Sequence, residues 1–224
     1  MNIKIAISCA LAPIFLPFAA SAGPLSVDVQ GVIKAAACTI EVSAQGSFDY
    51  GKVKQTSLKI DSHTLLPPIE RELRISCGIP TRVALTSSDL NKGLTAFSGD
   101  IKFSDVDWAL PWTPARQYGL RSAAGRAIGA WALVLGPGFK VDGKDAASVY
   151  SSDNGQTWRP SSGNFFHDDG GMESWSAPGN AAPLYGSEFV GKLSVRAALD
   201  RVSTLGQSDD IPFHGGAVLT LTYL

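Results

Sequence analysis

The chain has 224 residues, of which 19 are basic and 20 are acidic, and its formal net charge at neutral pH is −1. This balance offers no electrostatic basis for binding nucleic acid or an anionic membrane surface, so we expect no nucleic-acid partner. The length fits one domain, and a large one if the fold is all-β.

The first 22 residues have the pattern of a secretory signal peptide. Lys4 supplies a positive charge, residues 5–19 form an apolar run, and residues 20–22 (Ala-Ser-Ala) fit a small-residue cleavage site. The run is short and contains two prolines, whereas a membrane span needs about 20 apolar residues. We therefore predict an exported protein whose mature chain begins at Gly23.

The cysteines indicate one disulfide. Cys9 leaves with the signal peptide, so Cys38 and Cys77 remain as an even pair in an exported chain, which favours a bridge between them. Such a bridge closes a loop of about 40 residues and contributes roughly 3–4 kcal/mol. Two cysteines without neighbouring histidines make a poor zinc site, and we predict neither a metal nor a cofactor.

Short alternating segments separated by turn residues predict an all-β fold. In chain order the candidate strands are 25–29, 39–42, 70–77, 81–86, 131–135 and 217–224. The 23 glycines and 13 prolines are typical of dense turns. Residues 154–186, rich in Gly, Ser, Pro and Trp, are expected to form long ordered loops. No linker or internal repeat divides the chain into two domains.

Residues 151–158 match the pattern Ser-x-Asp-x-Gly-x-Thr-Trp, the Asp-box, which resembles the repeated turn of sialidases and other propellers. In those families the motif is a structural hairpin, so we assign Asp153 and Gly155 to the turn and Trp158 to packing beneath it. A propeller carries several copies at regular spacing, and this chain has one.

Catalytic patterns are weak. Residues 167–169 (His-Asp-Asp) suggest a metal or acid–base cluster, but a solvated acidic turn before two glycines is the favoured interpretation. There is no Gly-x-Ser-x-Gly elbow, and we predict no catalytic residues and no enzyme.

The alternative function is a secreted carbohydrate-binding or sialidase-like β protein. In that case Trp108, Trp112, Trp158 and Trp175 would stack on sugars. Tryptophans of this kind are more often core or loop-packing groups.

The last strand is the most informative segment. It places Ala217, Leu219, Leu221 and Tyr223 on one face and stops at Leu224. A terminal strand with an open apolar edge invites aggregation unless another chain pairs with it, and strand addition is the remedy. The other interpretation is a final strand paired inside its own sandwich, and the pattern alone weights the two equally.

Residues 31–40, followed by Phe-Asp-Tyr-Gly at 48–51, resemble the first half of a chaperone–usher pilin. Pilins share the pattern G-x-x-x-x-x-x-C, a second cysteine about 40 residues later and a penultimate tyrosine, here Tyr223. A closer resemblance is to a fimbrial-subunit-like family of unknown function in Gram-negative bacteria. Its "C-x-x-P-T-x-V-A-L" block corresponds to residues 77–85, and its "Y-G-L" turn to residues 118–120.

The resemblance implies an immunoglobulin-like, pilin-type sandwich that lacks its final strand and is completed in trans. Residues 1–22 would be the signal peptide, 23–30 a donor-strand-like extension and 31–224 the sandwich domain. The side chains that would fill a neighbour's groove are Leu25, Val27 and Val29. Those that would border the groove and meet the chaperone are Ala217, Leu219, Leu221, Tyr223 and Leu224.

The function implied by the resemblance is that of a structural subunit of a chaperone–usher fimbria, which polymerises by donor-strand complementation and contributes to surface attachment. The implied partners are a periplasmic chaperone, an outer-membrane usher, neighbouring fimbrial subunits, and a glycan receptor on a host or another surface. The chain would travel through the periplasm to a fimbrium on the cell surface.

Overall fold

The computed structural model describes residues 37–99, 101, 113–161, 163–205 and 211–224. These residues belong to one unit, Ala36–Leu224. The expected signal peptide, the extension with Leu25, Val27 and Val29, and Trp108 and Trp112 lie outside the described residues. None of the described helices is long and apolar enough to cross a membrane.

Strands dominate the described residues, which confirms the all-β prediction. They are β1 (Cys38–Val42), β2 (Thr64–Leu65), β3 (Ile69–Thr81), β4 (Val83–Asp89), β5 (Tyr118–Ser122), β6 (Ala127–Leu135), β7 (Lys140–Val141), β8 (Lys144–Asp145), β9 (Ala147–Ser151), β10 (Arg159–Pro160), β11 (Met172–Ser176), β12 (Gly186–Leu199), β13 (Phe213–His214) and β14 (Ala217–Tyr223). One short helix, α1 (Val202–Leu205), follows β12.

The strands form two antiparallel sheets that pack as a sandwich. The first has the order β1-β3-β12-β6-β5-β13, with β2 and β7 also paired to β12 and β8 paired to β7. The second has the order β10-β9-β11-β4-β14. Alternate side chains of both sheets meet in the core, where Leu73, Ile75, Leu85 and Trp175 are fully buried.

The disulfide prediction is confirmed, since Cys38 and Cys77 are bonded with their Cα atoms 4.0 Å apart. The two cysteines are also directly opposite each other in the β1–β3 ladder. The bridge therefore holds the edge strand β1 to its neighbour at one end of the first sheet.

The "Y-G-L" segment is a strand and not a turn. Tyr118–Ser122 forms β5, paired with β6. Gly119 is needed there for close approach, because a Cβ at this position would lie 2.1 Å from the carbonyl oxygen of Asn91. A glycine inside a strand thus marks a close backbone contact here, not a reversal of the chain.

The expectation of loops throughout residues 154–186 is wrong in part. The segment contains β10 and the buried strand β11 in the middle of the second sheet. The serines of β11 are compatible with burial because the Ser174 hydroxyl donates to the carbonyl of Val83 at 2.6 Å, and that of Ser176 to the carbonyl of Asn180 at 2.7 Å.

Candidate functional site

β14 is an edge strand of the second sheet. It pairs along its whole length with β4, from Ala217 opposite Asp89 to Tyr223 opposite Val83. No other strand within the described residues lies on its second side. The opposite edge of the same sheet is β10, a two-residue strand that ends in Pro160, and a proline at an edge cannot extend a ladder.

The hydrogen-bond pattern shows which groups of β14 remain free. The N–H of Leu224 donates to the carbonyl of Arg82 at 3.1 Å, and the carbonyl of Gly216 accepts from the N–H of Leu90 at 2.9 Å. In an antiparallel ladder alternate residues bond to the same neighbour, so the even-numbered residues face β4. The N–H and C=O groups of the odd-numbered residues, 217 to 223, therefore point to the open side.

Beside this open edge lies a groove of about 900 Å³ that leads into the core. Its floor is apolar and comes from β5, β6 and β12, while β14 supplies one wall. The floor and wall residues are Leu120, Trp131, Leu133, Val195, Ala217 and Leu219. The four floor side chains, from Leu120 to Val195, are only 3–7% exposed, yet no described strand covers them between β14 and the first sheet.

Residues 47–53 form the opposite wall of the groove without regular secondary structure. Tyr50 anchors this segment, because its hydroxyl donates to the carbonyl of Val195 at 3.2 Å and its ring lies 6.4 Å from that of Phe213. Burial raises the pKa of Tyr50 to about 12, so the phenol keeps its proton and remains a donor. Within the described part of the chain, the backbone of residues 48–53 is bonded to no strand.

The two ends of the groove differ. At one end the N–H of Cys38 donates to the hydroxyl of Tyr223 at 2.8 Å, so β1 and β14 meet there. At the other end the groove continues into a second cavity of about 400 Å³, which shares Lys52, Val53, Ile211 and Phe213 with the first. The exposed Lys52 and Lys54 stand at the rim of this second cavity.

Two of the five residues predicted in the last strand, Ala217 and Leu219, lie in the lining of this groove. Ala217, Leu219 and Leu221 are half-buried against the core, and the first two line the groove itself. Tyr223 and Leu224 lie beyond it and are 51% and 44% exposed. No sequence pattern predicts the opposite wall, although its Phe-Asp-Tyr-Gly segment at 48–51 belongs to the pilin resemblance.

The Asp-box residues lie in the turn between β9 and β10. The Asp153 carboxylate accepts from the Ser151 hydroxyl at 2.7 Å and from the N–H and hydroxyl of Thr157 at 2.9 and 2.6 Å. These hydrogen bonds lower the pKa of Asp153 to about 2. Gly155 has φ +81°, and the half-buried Trp158 donates its indole N–H to the Gly155 carbonyl at 3.0 Å.

The His-Asp-Asp segment takes part in structural contacts. His167 accepts from the Arg116 guanidinium at 3.2 Å, and Asp168 pairs with Lys92 at 3.0 Å while accepting from the N–H of Asp89. Burial lowers the pKa of His167. Among the described residues no group of three or more His, Cys, Asp or Glu side chains is placed to hold a metal.

Comparison with known proteins yields little functional information. Residues 27–132, just under half of the chain, match the model of a family described as protein of unknown function (DUF1120). No curated protein matches the sequence. A solved structure of a chaperone–usher pilus, described as revealing the molecular basis of rod uncoiling, is similar over 95% of this chain and 100% of its own. Its sequence identity is 15% and its TM-score 0.43, values at which the likeness carries no argument about function.

Proposed function

We propose that this chain is a structural subunit of a chaperone–usher fimbria, joined to other subunits by donor-strand complementation. A single observation carries the proposal: the free edge of β14 borders an apolar groove that no described strand fills. A groove of this kind combines the two requirements of strand addition, unpaired backbone groups and pockets for alternate side chains.

The incoming strand in this proposal is residues 23–30 of another copy. Leu25, Val27 and Val29 lie at every second position of this segment, so an extended chain directs all three to one side. Each contributes about 1.5–3 kcal/mol when fully buried, before the cost of ordering the segment. The backbone of the same strand pairs with the odd-numbered groups of β14.

The proposed partners follow from this need for a strand. A periplasmic chaperone protects the groove before assembly, an outer-membrane usher orders the subunits, and the fimbrium stands on the cell surface. The proposed role is structural and not enzymatic. Neither of the two described candidate tryptophans supports a glycan receptor, since Trp175 is fully buried and Trp158 is bonded to its own turn.

Two variants of β14 test the proposal. Leu221→Asp places a charge on the core side of the strand, whereas Thr220→Asp adds the same charge to the exposed side of the same strand. We expect Leu221→Asp to reduce chaperone capture in the periplasm at least tenfold and to expose the subunit to proteolysis, because an unpaired charge is costly in an apolar site. Thr220→Asp should leave capture within about twofold of wild type.

Deletion of residues 23–30 tests the other half of the joint. The shortened subunit should still be captured by the chaperone but should not join to the next subunit, as seen by electron microscopy of surface fibres and by the mass of released assemblies. Fibres of normal length from the deletion variant, or equal capture of the two β14 variants, would contradict the proposal.

A further inference from the structure

The apolar residues of the incoming segment do not fix its position in the groove. A slip of one residue turns Leu25, Val27 and Val29 outward, but a slip of two residues keeps all three facing the floor. Such a slip moves the strand by about 7 Å along β14. Something on the rim of the groove has to distinguish these registers if subunits are to join in one way.

The rim offers two cations. Lys52 lines both cavities and Lys54 lines the second, and both side chains are exposed. Neither ammonium is within ion-pair distance of a carboxylate of the described residues, in contrast to Lys92, Lys140 and Lys192, which are paired. The nearest acidic residue in the same wall, Asp49, has its carboxylate bonded to the N–H of Gly51 at 2.7 Å.

The incoming segment offers one anion. Among residues 23–30, Asp28 is the only charged side chain. It lies between Val27 and Val29, so in an extended strand it points away from the floor and toward the rim. One carboxylate on the segment thus complements two ammonium groups that have no carboxylate partner among the described residues, and on this charge complementarity we select the segment as the occupant.

We propose that Asp28 of one copy of the chain pairs with Lys52 of the next, with Lys54 as second neighbour, and that this pair sets the register of the joint. The inference rests on the proposed function and names the residues that determine the register of the joint. A two-residue slip separates the charges by about 7 Å more, and in solvent the attraction at that distance is largely lost.

The test uses the mature protein and synthetic peptides of residues 23–30, with binding measured by fluorescence anisotropy at low and high salt. Exposed ion pairs contribute modestly, so the peptide with Asp28→Lys should bind wild-type protein roughly two- to fivefold more weakly. Protein carrying Lys52→Glu should reverse the preference and bind the Asp28→Lys peptide better than the wild-type peptide. Added salt should weaken the discrimination.

Lys59→Glu is the matched control, because Lys59 is exposed in the same part of the chain but lines neither cavity. It changes the net charge equally and should not reverse the preference. A second control is the double variant Asp209→Asn and Asp210→Asn, which lacks two carboxylates that precede Ile211 in sequence and lie outside the described residues. Its preference for the wild-type peptide over the Asp28→Lys peptide should persist.

The outcomes distinguish failure of the Asp28–Lys52 pair from failure of strand binding in the groove. If all peptides bind equally and independently of salt, the register pair is wrong while the groove remains a strand-binding site. If the reversal also occurs with Lys59→Glu, the effect is one of net charge and the pair is again wrong. If the wild-type peptide does not bind, while a peptide with serine at positions 25, 27 and 29 behaves identically, the proposed function itself is overturned.

Discussion

At the scale of single residues, Glu173 is the most unusual group in the described core. It lies on β11 with 1% of its surface exposed, and its Oε1 accepts from the Ser161 hydroxyl at 3.0 Å. Its Oε2 is buried and has no hydrogen-bond partner among the described residues. Burial raises the pKa of Glu173 well above its ordinary 4.5, although the charges of Arg116 and Arg159 oppose the shift.

This carboxyl should make stability depend on pH. Because the folded-state pKa is raised, the contribution of Glu173 is fully present below about pH 4.5 and is lost as the pH rises through the folded-state value. Glu173→Gln keeps the shape without the ionisation. We expect the free energy of unfolding of the variant to rise relative to that of wild type as the pH rises, by at most about 1.4 kcal/mol per pH unit.

Urea unfolding of both proteins at several values between about pH 4 and about pH 8 provides the measurement, since other groups cancel in the difference. A difference in unfolding free energy that stays constant over this range would contradict the burial argument for Glu173.

At the scale of elements, the β9–β10 hairpin depends on Asp153. The pKa of Asp153 is lowered from 3.8 to about 2. The ionised carboxylate therefore stabilises the fold at pH values above 3.8, and this contribution is lost as the pH falls toward about 2. Asp153→Ala should therefore lower the thermal midpoint at neutral pH, and the deficit should shrink on acidification.

Gln156→Ala is the control for this hairpin, because Gln156 is exposed in the same turn and its side chain makes none of the turn's hydrogen bonds. It should leave the midpoint nearly unchanged. Equal losses in the two variants, or a deficit of Asp153→Ala that is independent of pH, would show that the carboxylate does not hold the turn.

The elements also show what sequence patterns capture. Alternation in β1, β3 and β14 predicts strands because one face of each is more buried than the other over most of its length. β12, the longest strand, escaped prediction because it lies inside the first sheet, contains Gly186 and Gly191, and buries residues of both faces near its end. The sequence predicts a turn in place of β5 because the close approach of Asn91 to Gly119 is a tertiary contact that leaves no local pattern.

The groove was predictable only on one side for a similar reason. β14 carries its own alternation, so its apolar face was visible from the sequence. The opposite wall is irregular, and its position depends on the bond from Tyr50 to Val195, two residues separated by 145 positions. Contacts of that range are set by the whole fold.

At the scale of the whole molecule, the disulfide should contribute strongly to stability. It joins residues 39 positions apart, and closing a loop of that length in the unfolded chain corresponds to roughly 3–4 kcal/mol. The double variant Cys38→Ser and Cys77→Ser should lose about this amount in urea unfolding. Thiol labelling of the unreduced mature protein should detect no free thiol; two reactive thiols would disprove the bridge in solution.

Cys38 makes contacts in both sheets of the sandwich. Its sulfur ties β1 to β3, and its N–H meets the hydroxyl of Tyr223 on β14. A chain that is still in a reducing compartment lacks the covalent part of this arrangement, and β1 is then held to its sheet by hydrogen bonds alone. Oxidation of the two thiols therefore adds a covalent link between the edge strand β1 and the rest of the first sheet.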